Sequence, residues 1–185
     1  MGNSISPKPR IIHNMNPNTL LFSKLRDVKS PTRAHTTDAG IDFFLPNKFT
    51  AEDLTISSTV TKTNIYINDN GDIVIPPFGS VLLPSGVKCI IPTGHAMIFF
   101  NKSGVAAKKH LVLGSCLCDE GFRGEILFNL INTSSNEVIV SPGEKITQGA
   151  MLQVGYHVPC EVDDISNYAP PTDRGEGGFG SSGVQ

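Results

Sequence analysis

The chain has 185 residues and a formal net charge of −2 at pH 7, and its length suits one domain with an ordinary core. This charge argues against broad electrostatic binding to nucleic acid, because such binding needs a strongly basic face. No apolar run reaches the roughly 18 residues of a membrane span, and the N-terminus lacks the regions of a secretory signal. We expect an intracellular protein without stable membrane association or direct nucleic-acid binding.

Short β-prone runs dominate the chain, and signals for helices are scarce. In chain order, the runs span residues 20–25, 41–45, 59–67, 73–75, 80–83, 87–91, 96–100, 111–113, 125–132, 137–140 and 150–157. Turn-forming pairs such as Asn70-Gly71, Pro76-Pro77 and Pro142-Gly143 separate them. This spacing predicts an all-β fold, a distorted β-barrel or jelly-roll-like body, with one short helix over residues 103–110.

Three segments are predicted to be peripheral to this body, which we place at residues 20–162. Residues 1–19 are rich in Pro, Asn and Ser and are expected to form a flexible N-terminal extension. Residues 49–75 carry polar, β-prone residues around an Asn-Gly step, which predicts an extra hairpin-like insertion. Residues 163–185 are rich in Asp, Pro and Gly and are expected to form a flexible C-terminal arm.

The cysteines are Cys89, Cys116, Cys118 and Cys160, and they include no Cys-x-x-Cys pair. A chain of this length does not depend on disulfide bonds, and no histidines stand near the cysteines at the spacing of a metal site. We therefore predict reduced, buried thiols that contribute to packing.

The tail Arg174-Gly-Glu-Gly-Gly-Phe-Gly-Ser-Ser-Gly183 has the composition of a clamp for a nucleotide phosphate. Its glycines let backbone N–H groups approach an anion closely, and Arg174 can bind phosphate oxygens through two donors at once. Ser181 and Ser182 add hydroxyl donors, and Phe179 can stack on a base. The alternative is a disordered Gly/Ser tail, although a plain linker has little use for an arginine and an aromatic residue.

Five short segments combine glycine with a polar or charged residue beside a predicted strand. They are Ala39-Gly-Ile-Asp42, Asn101-Lys-Ser-Gly104, Asp119-Glu-Gly-Phe-Arg-Gly-Glu125, Gly143-Glu-Lys-Ile-Thr-Gln148 and the tail. Each segment taken alone is a routine turn. Their joint order resembles the five signature segments of the homotrimeric dUTP pyrophosphatase (dUTPase) family, and the resemblance extends from about residue 20 to residue 184.

The resemblance implies hydrolysis of dUTP to dUMP and pyrophosphate, which keeps uracil out of DNA and supplies dUMP for dTTP synthesis. Asp119 would be the general base that holds the water attacking the α-phosphorus, a role that suits an aspartate because it is ionised at neutral pH. A Mg²⁺ ion would bridge the triphosphate oxygens, with Asp42 holding it indirectly through water.

The second and fourth segments would supply the phosphate contacts. Ser103, Gly104 and Gln148 match the residues with this role in the family. Lys102 stands where the family usually has arginine, so it would act as a point charge without a planar two-donor contact. Glu144 and Lys145 replace the more usual Asp and Arg with residues of the same charge.

The third segment would select the base and the sugar. Backbone groups at Leu113, Gly114, Cys116 and Cys118 would pair with the uracil edge, and cytosine would leave a buried backbone donor unpaired, at a cost of about 1–3 kcal/mol. Phe122, where the family usually has tyrosine, would lie against the deoxyribose. In the tail, Phe179 would cover uracil. The phosphates would be bound by Arg174, Gly180, Ser181 and Ser182.

In the family each active site draws on three subunits, so the resemblance implies a closed homotrimer. Two alternatives stay open. One is a dUTPase-like protein that binds dUTP and signals through a protein partner, with residues 49–75 as the candidate surface. The other is a relative of dCTP deaminase, which shares the fold; Asp119 and Phe179 argue against it.

Overall fold

The computed structural model describes residues 19–61 and 64–177. Contacts within the chain group it into a body that ends at Val154 and an arm that begins at Gly155, earlier than the predicted boundary at residue 162. The described part of the arm contains a 3-10 helix over Ile165–Asn167. In the described ranges, no helix has the length and apolarity to cross a bilayer.

The body consists mainly of short strands, which confirms the predicted all-β class. In chain order, the strands are β1 Leu21–Lys24, β2 Ile41–Phe44, β3 Tyr66–Ile67, β4 Ile73–Ile75, β5 Ser80–Pro84, β6 Val87–Ile90, β7 His95–Asn101, β8 Leu111–Leu113, β9 Leu117–Cys118, β10 Leu127–Asn132, β11 Val138–Val140 and β12 Lys145–Gln153. The helices are α1 Ala51–Thr61 and α2 Ser103–Lys109. The prediction of a short helix over residues 103–110 is therefore confirmed.

Antiparallel pairing joins the strands into small sheets of the orders β1-β6, β5-β10-β8, β11-β4-β3 and β2-β12-β7-β9. The last of these sheets positions most of the residues discussed below. In it, Gln148 of β12 pairs with Asp42 of β2 on one side and with Phe100 of β7 on the other. β12 begins at Lys145 and ends at Gln153, so the predicted strand over residues 150–157 was placed too late in the chain.

Three phenylalanines from two sheets meet in the core. Phe43 of β2, Phe99 of β7 and Phe128 of β10 are each at most 5% exposed. Their rings pack edge to face, with centroids 5.1 Å apart for Phe43 and Phe99 and 5.4 Å apart for Phe99 and Phe128. This geometry is favoured for aromatic pairs, and it joins the β2-β12-β7-β9 sheet to the β5-β10-β8 sheet.

Helix α1 corrects the prediction for residues 49–75. The strand predicted over residues 59–67 is wrong in its first part, because the chain is helical through Thr61. The start of α1 is stabilised by Asp53, whose carboxylate accepts the Thr50 N–H at 2.9 Å and the Thr50 hydroxyl at 3.2 Å. The predicted hairpin is present after the helix, where β3 and β4 pair and Gly71 adopts a positive φ of 83°.

Polar contacts fasten α1 to the body. The Ser57 hydroxyl is fully buried and accepts the Leu82 N–H of β5 at 2.9 Å. Arg26 donates to the buried carboxylate of Asp53 at 2.8 Å. The helix therefore closes one edge of the β5-β10-β8 sheet, which would otherwise expose unpaired backbone groups.

The cysteines divide into two classes. Cys89 and Cys118 are buried thiols, as predicted, whereas Cys116 and Cys160 are exposed, so the prediction of burial is wrong for these two. Burial, with a smaller contribution from Cys118, raises the pKa of Cys89 to about 12. Cys89 is therefore a packing residue that stays protonated at neutral pH.

Candidate active site

A cavity of about 240 Å³, here called the hairpin cavity, opens beside the segment that joins β8 to β10. Its lining residues are Leu82, Phe99, Ser115, Cys116, Leu117, Cys118, Asp119, Phe122, Glu125, Ile126 and Leu127. The cavity therefore brings together Asp119, Phe122, Cys116 and Cys118 from the predicted set. Its walls are mainly apolar, so a planar organic group is a better occupant than a phosphate.

The backbone of this segment is held closely by its neighbours. The Cys116 carbonyl accepts the Phe99 N–H at 2.8 Å, and the Gly114 N–H donates to the Asn129 carbonyl at 2.9 Å. A Cβ on Gly114 would lie 2.6 Å from Asn129 Nδ2, which is closer than real contacts allow. Glycine is thus required at position 114 for the β8–β9 connection to lie against β10.

The end of the hairpin cavity that contains Asp119 is formed by a turn. Asp119 is exposed, and its carbonyl accepts the Phe122 N–H at 3.1 Å. The next carboxylate, Glu120, accepts the Gly94 N–H at 2.9 Å, which fixes the turn to the body. Burial raises the pKa of Cys118, and the neighbouring charge of Asp119 adds to this, so the Asp119 carboxylate lies beside a protonated thiol at the cavity wall.

A second cavity, of about 880 Å³, lies along β2, β7 and β12 and is here called the lysine cavity. Its lining residues are Ala34, Asp38, Ala39, Gly40, Asp42, Phe100, Asn101, Lys102, Lys145, Gln148, Ala150, Met151 and Leu152. Gly40 makes room for Gln148, because a Cβ at position 40 would lie 2.5 Å from Gln148 Oε1. Gln148 Nε2 donates to the Asn101 carbonyl at 3.1 Å, so its side chain extends across the sheet.

One buried carboxylate holds two ammonium groups in the lysine cavity. Asp42 Oδ1 lies 2.6 Å from Lys102 Nζ, and Asp42 Oδ2 lies 2.9 Å from Lys145 Nζ. Burial acts to raise the pKa of Asp42, but the hydrogen bonds and charges of Lys102 and Lys145 outweigh it and hold the pKa below its ordinary value. One carboxylate neutralises one of the two cations, so the cluster of Asp42, Lys102 and Lys145 is net positive, while Asp38 also lines the cavity.

The two cavities face opposite sides of the same sheet. Phe99 lines the hairpin cavity, whereas its neighbour Phe100 lines the lysine cavity. Successive side chains of a strand point to opposite faces, so β7 separates the two cavities. They share no lining residue among the parts of the chain that the structure describes.

The predicted residues therefore fall into two groups and a remainder. Lys102, Gln148 and Asp42 line the lysine cavity, and Ser103 and Gly104 open the adjoining helix α2. Leu113 and Gly114 lead into the hairpin cavity. In the arm, Arg174 Nε donates to the Gly177 carbonyl at 3.0 Å, whereas other predicted tail residues lie outside the described ranges, namely Phe179, Gly180, Ser181 and Ser182.

Sequence analysis missed two contributors to the lysine cavity. Lys145 was noted for its charge but not as a partner of Asp42. Asn101 was also missed, although its side chain accepts the Leu113 N–H at 2.8 Å and its carbonyl accepts from Gln148. Asn101 lies in the second segment and Lys145 in the fourth. Their position in these glycine-containing segments was the sequence signal that could have identified them.

The chain is similar in sequence to known proteins of one family. The sequence profile of the dUTPase family matches residues 67–183. The chain is 32% identical over 164 residues to the deoxyuridine 5'-triphosphate nucleotidohydrolase of Corynebacterium jeikeium, and the match covers 86% of this chain and 88% of that protein. The corresponding protein of Dictyoglomus turgidum is 36% identical over 119 residues, covering 61% of this chain and 78% of the relative.

Solved structures show the same fold. The dUTPase of Staphylococcus bacteriophage 80alpha with dUPNHPP has a TM-score of 0.69 and 24% identity, covering 90% of this chain and 99% of that one. A mutant dUTPase of phage phi11 of S. aureus, described for its coordination of a structural Mg(II) ion, has a TM-score of 0.60 and 20% identity, covering 80% and 99%.

The fold is all-β, a distorted barrel, and it carries a mainly apolar cavity and a second cavity that contains two lysines paired with one carboxylate. The chain belongs to the dUTPase family. It is a dUTP diphosphatase, and its substrate is dUTP.

Proposed function

We propose that the chain converts dUTP to dUMP and pyrophosphate by attack of a water molecule on the α-phosphorus, with Asp119 as the general base. The observation that carries this proposal is the place of Asp119, exposed at the wall of the hairpin cavity beside Cys118 and Phe122. In this arrangement Asp119 accepts the proton of the attacking water. The bond to the β-phosphate oxygen breaks, and pyrophosphate leaves with that electron pair.

We propose that uracil and deoxyribose occupy the hairpin cavity. Backbone groups between Leu113 and Cys118 would pair with the uracil edge, and Phe122 would lie against the sugar. Phe122 is 43% exposed, and its ring lies over Gly124, where a Cβ would come within 2.6 Å of its Cζ atom. In this proposal the Phe122 ring would lie beneath the deoxyribose and exclude a ribose 2′-hydroxyl.

The triphosphate would lie along the lysine cavity and the first turn of α2. The first N–H groups of a helix have no acceptor within the helix, so those of Ser103 and Gly104 can bind phosphate oxygens. Lys102, Lys145 and Gln148 would complete this surface. Both oxygens of Asp42 bind lysine ammonium groups, so we now assign Asp42 to orienting these cations in place of the outer-shell metal contact predicted from the sequence.

Mg²⁺ is the metal that we propose for the reaction. In the described residues no group of three or more His, Cys, Asp or Glu side chains could hold a metal ion. This fits Mg²⁺, which binds through substrate phosphates and water with few protein ligands. The metal would neutralise charge on the triphosphate. In this proposal Asp119 is the carboxylate of the hairpin cavity that works together with the metal, because it holds the attacking water.

We further propose that the active site is shared between the subunits of a homotrimer. The hairpin cavity and the lysine cavity lie on opposite faces of one sheet, so one chain cannot bring its base site and its phosphate site together. Phe100 and Leu152 in the lysine cavity are 46% and 40% exposed, as expected for apolar side chains that a neighbouring copy covers. The third contribution would be the tail, with Arg174 and Phe179 closing over the nucleotide.

The test of the function is pyrophosphate release from dUTP, dCTP, dTTP and UTP in the presence of Mg²⁺, with wild type and Asp119→Asn side by side. Rapid turnover of dUTP alone, lost in the variant, supports the proposed base and the proposed selectivity. Ammonia release from dCTP would instead indicate a deaminase.

Tight dUTP binding without turnover would favour a nucleotide-binding regulator. That second function has a precedent in the phage 80alpha dUTPase, which is described as controlling transfer of virulence genes. In the present chain, exposed positions of α1 such as Glu52 would be the surface to mutate, because Asp53, Ser57 and the β4 residues Ile73 and Ile75 are buried.

A further inference from the structure

Helix α2 carries the proposed phosphate contacts on an element that has little intrinsic stability. It has seven residues and no buried side chain. Isolated helices shorter than about 12–15 residues are marginal in water. Val105 packs against the core but is only partly buried, and a cavity of about 330 Å³ lies between α2 and the start of β12. Packing alone therefore does not fix the position of this helix.

Polar contacts hold α2 at both ends. Before its first residue, Lys102 binds Asp42 at 2.6 Å. Its last residue, Lys109, places Nζ 2.7 Å from the Glu144 carboxylate and 3.0 Å from the Ile139 carbonyl. Glu144 also accepts the Ser141 N–H at 3.2 Å, so the carboxylate is fixed to its own turn.

We infer that Lys109 and Glu144 are positioning residues for the triphosphate, acting through α2. This inference rests on the proposed phosphate contacts at Ser103 and Gly104. The ion pair ties the far end of the helix to the turn before β12, and the next residue in the chain, Lys145, binds the same Asp42 that holds Lys102. The pair thus fixes the helix relative to the strand that carries Gln148, and it aligns the two halves of the phosphate surface.

A positioning role and a purely electrostatic role of Glu144 predict opposite effects on triphosphate binding when its carboxylate is removed. Removing a carboxylate near a bound polyanion strengthens its binding if only electrostatics acts. If the carboxylate instead holds α2 in place, its removal weakens the binding. Lys108 offers a matched control for the other partner, because it is the adjacent lysine of the same helix and forms no ion pair among the described residues.

The experiment compares Glu144→Gln, Lys109→Met, Lys109→Arg and Lys108→Met in the assembled protein. Calorimetry gives the Kd of a non-hydrolysable dUTP analogue and of dUMP, and steady-state kinetics gives kcat and KM for dUTP. We expect Glu144→Gln and Lys109→Met to weaken binding of the analogue about fivefold and to raise KM, with a smaller change for dUMP and kcat. Lys109→Arg, which keeps a donor for Glu144, restores binding, and Lys108→Met leaves it near wild type.

Hydrogen exchange of the amides of residues 103–109 provides a readout that does not depend on turnover. Faster exchange in Glu144→Gln and Lys109→Met, with an unchanged melting temperature of the body, supports a local effect on α2. Tighter or unchanged analogue binding in Glu144→Gln would overturn the inference, as would an equal loss in Lys108→Met. An inactive wild type would instead contradict the proposed function itself.

Discussion

The two faces of the β2-β12-β7-β9 sheet are built by different means, and we propose that each binds a different part of the nucleotide. On the lysine-cavity face, ion pairs between side chains build the surface, as in Asp42 with Lys102 and Lys145. On the hairpin-cavity face, backbone groups and apolar walls prevail, and Gly114 matters because it lacks a side chain. From this difference we propose that charge sets the affinity for the triphosphate, whereas backbone geometry sets the choice of base.

The largest effect is expected from Asp119→Asn, which removes the carboxylate proposed to activate the attacking water on the hairpin-cavity face. Loss of a general base lowers kcat by about 10²–10⁴-fold. Binding should change little, because the amide keeps the size of the carboxylate. Single-turnover rates measure the chemical step, and calorimetry with a non-hydrolysable analogue measures binding. A variant that retains more than half of the wild-type rate would exclude Asp119 as the base.

Asp42→Asn removes the ion pairs on the lysine-cavity face, so it should lower stability in a pH-dependent manner. The loss of two charge-assisted contacts is expected to cost about 1.5–3 kcal/mol of unfolding free energy at neutral pH. Since the folded-state pKa of Asp42 lies below its ordinary value of 3.8, the stabilisation is present above that value and is lost as the pH falls through the folded-state pKa. Thermal melts between pH 2 and pH 7 should converge for wild type and variant at the acidic end. Parallel curves would contradict the assignment.

Gly114→Ala tests whether backbone geometry governs the hairpin face. The added Cβ would meet Asn129 Nδ2 at 2.6 Å and Ile131 Cδ1 at 2.8 Å. Overpacking of this kind costs about 1–3 kcal/mol of unfolding free energy. If the segment shifts to relieve it, the proposed uracil contacts weaken and KM for dUTP should rise. Gly121→Ala is the matched control, because no atom lies within 4 Å of its added Cβ. Equal effects of the two substitutions would argue against close packing as the cause.

Ser57→Ala removes a hydrogen bond that involves neither the ion pairs of Asp42 nor the residues proposed to bind the base. It therefore separates effects on stability from effects on either face of the sheet. It leaves the Leu82 N–H without its acceptor, which should lower unfolding free energy by about 1–3 kcal/mol. The catalytic constants should stay close to wild type, the smallest catalytic effect predicted here. Glu52→Gln is the control, because Glu52 is an exposed residue of the same helix. Chemical denaturation of both variants measures the difference.

Much of the fold follows from patterns in the sequence. The β-prone runs over residues 73–75 and 111–113 coincide with β4 and β8, because β-branched and apolar residues there are bounded by turn formers. Helix α1 was missed because its Thr, Ser, Val and Ile residues favour strands by propensity. The Thr50-x-x-Asp53 capping pattern was the available signal for its start, and the buried contact of Ser57 with Leu82 reinforces it.

Some of the residues that line the two cavities were predicted from the sequence, but their arrangement was not. The glycine-containing segments identified Asp119, Gln148 and Lys102 before any geometry was known. Sequence could not show that Asp42 binds two lysines, because residues 42, 102 and 145 meet only when β2, β7 and β12 pair. Strand alternation predicts that Phe99 and Phe100 face opposite sides, but the sequence could not show which cavity each lines, because the cavities form only when the sheets assemble.

A mixed-subunit experiment tests the central claim that each site takes its base half and its phosphate half from different chains. Asp119→Asn subunits are combined with subunits that carry both Lys102→Met and Gln148→Ala, by refolding the two together, and dUTP turnover is measured. Random assembly of an intersubunit site restores about a quarter of the sites, because each intact half is drawn independently. Asp119→Asn mixed with Phe122→Ala, two changes in the same half, should show no recovery. Activity that never exceeds that of the separate variants would contradict a shared site.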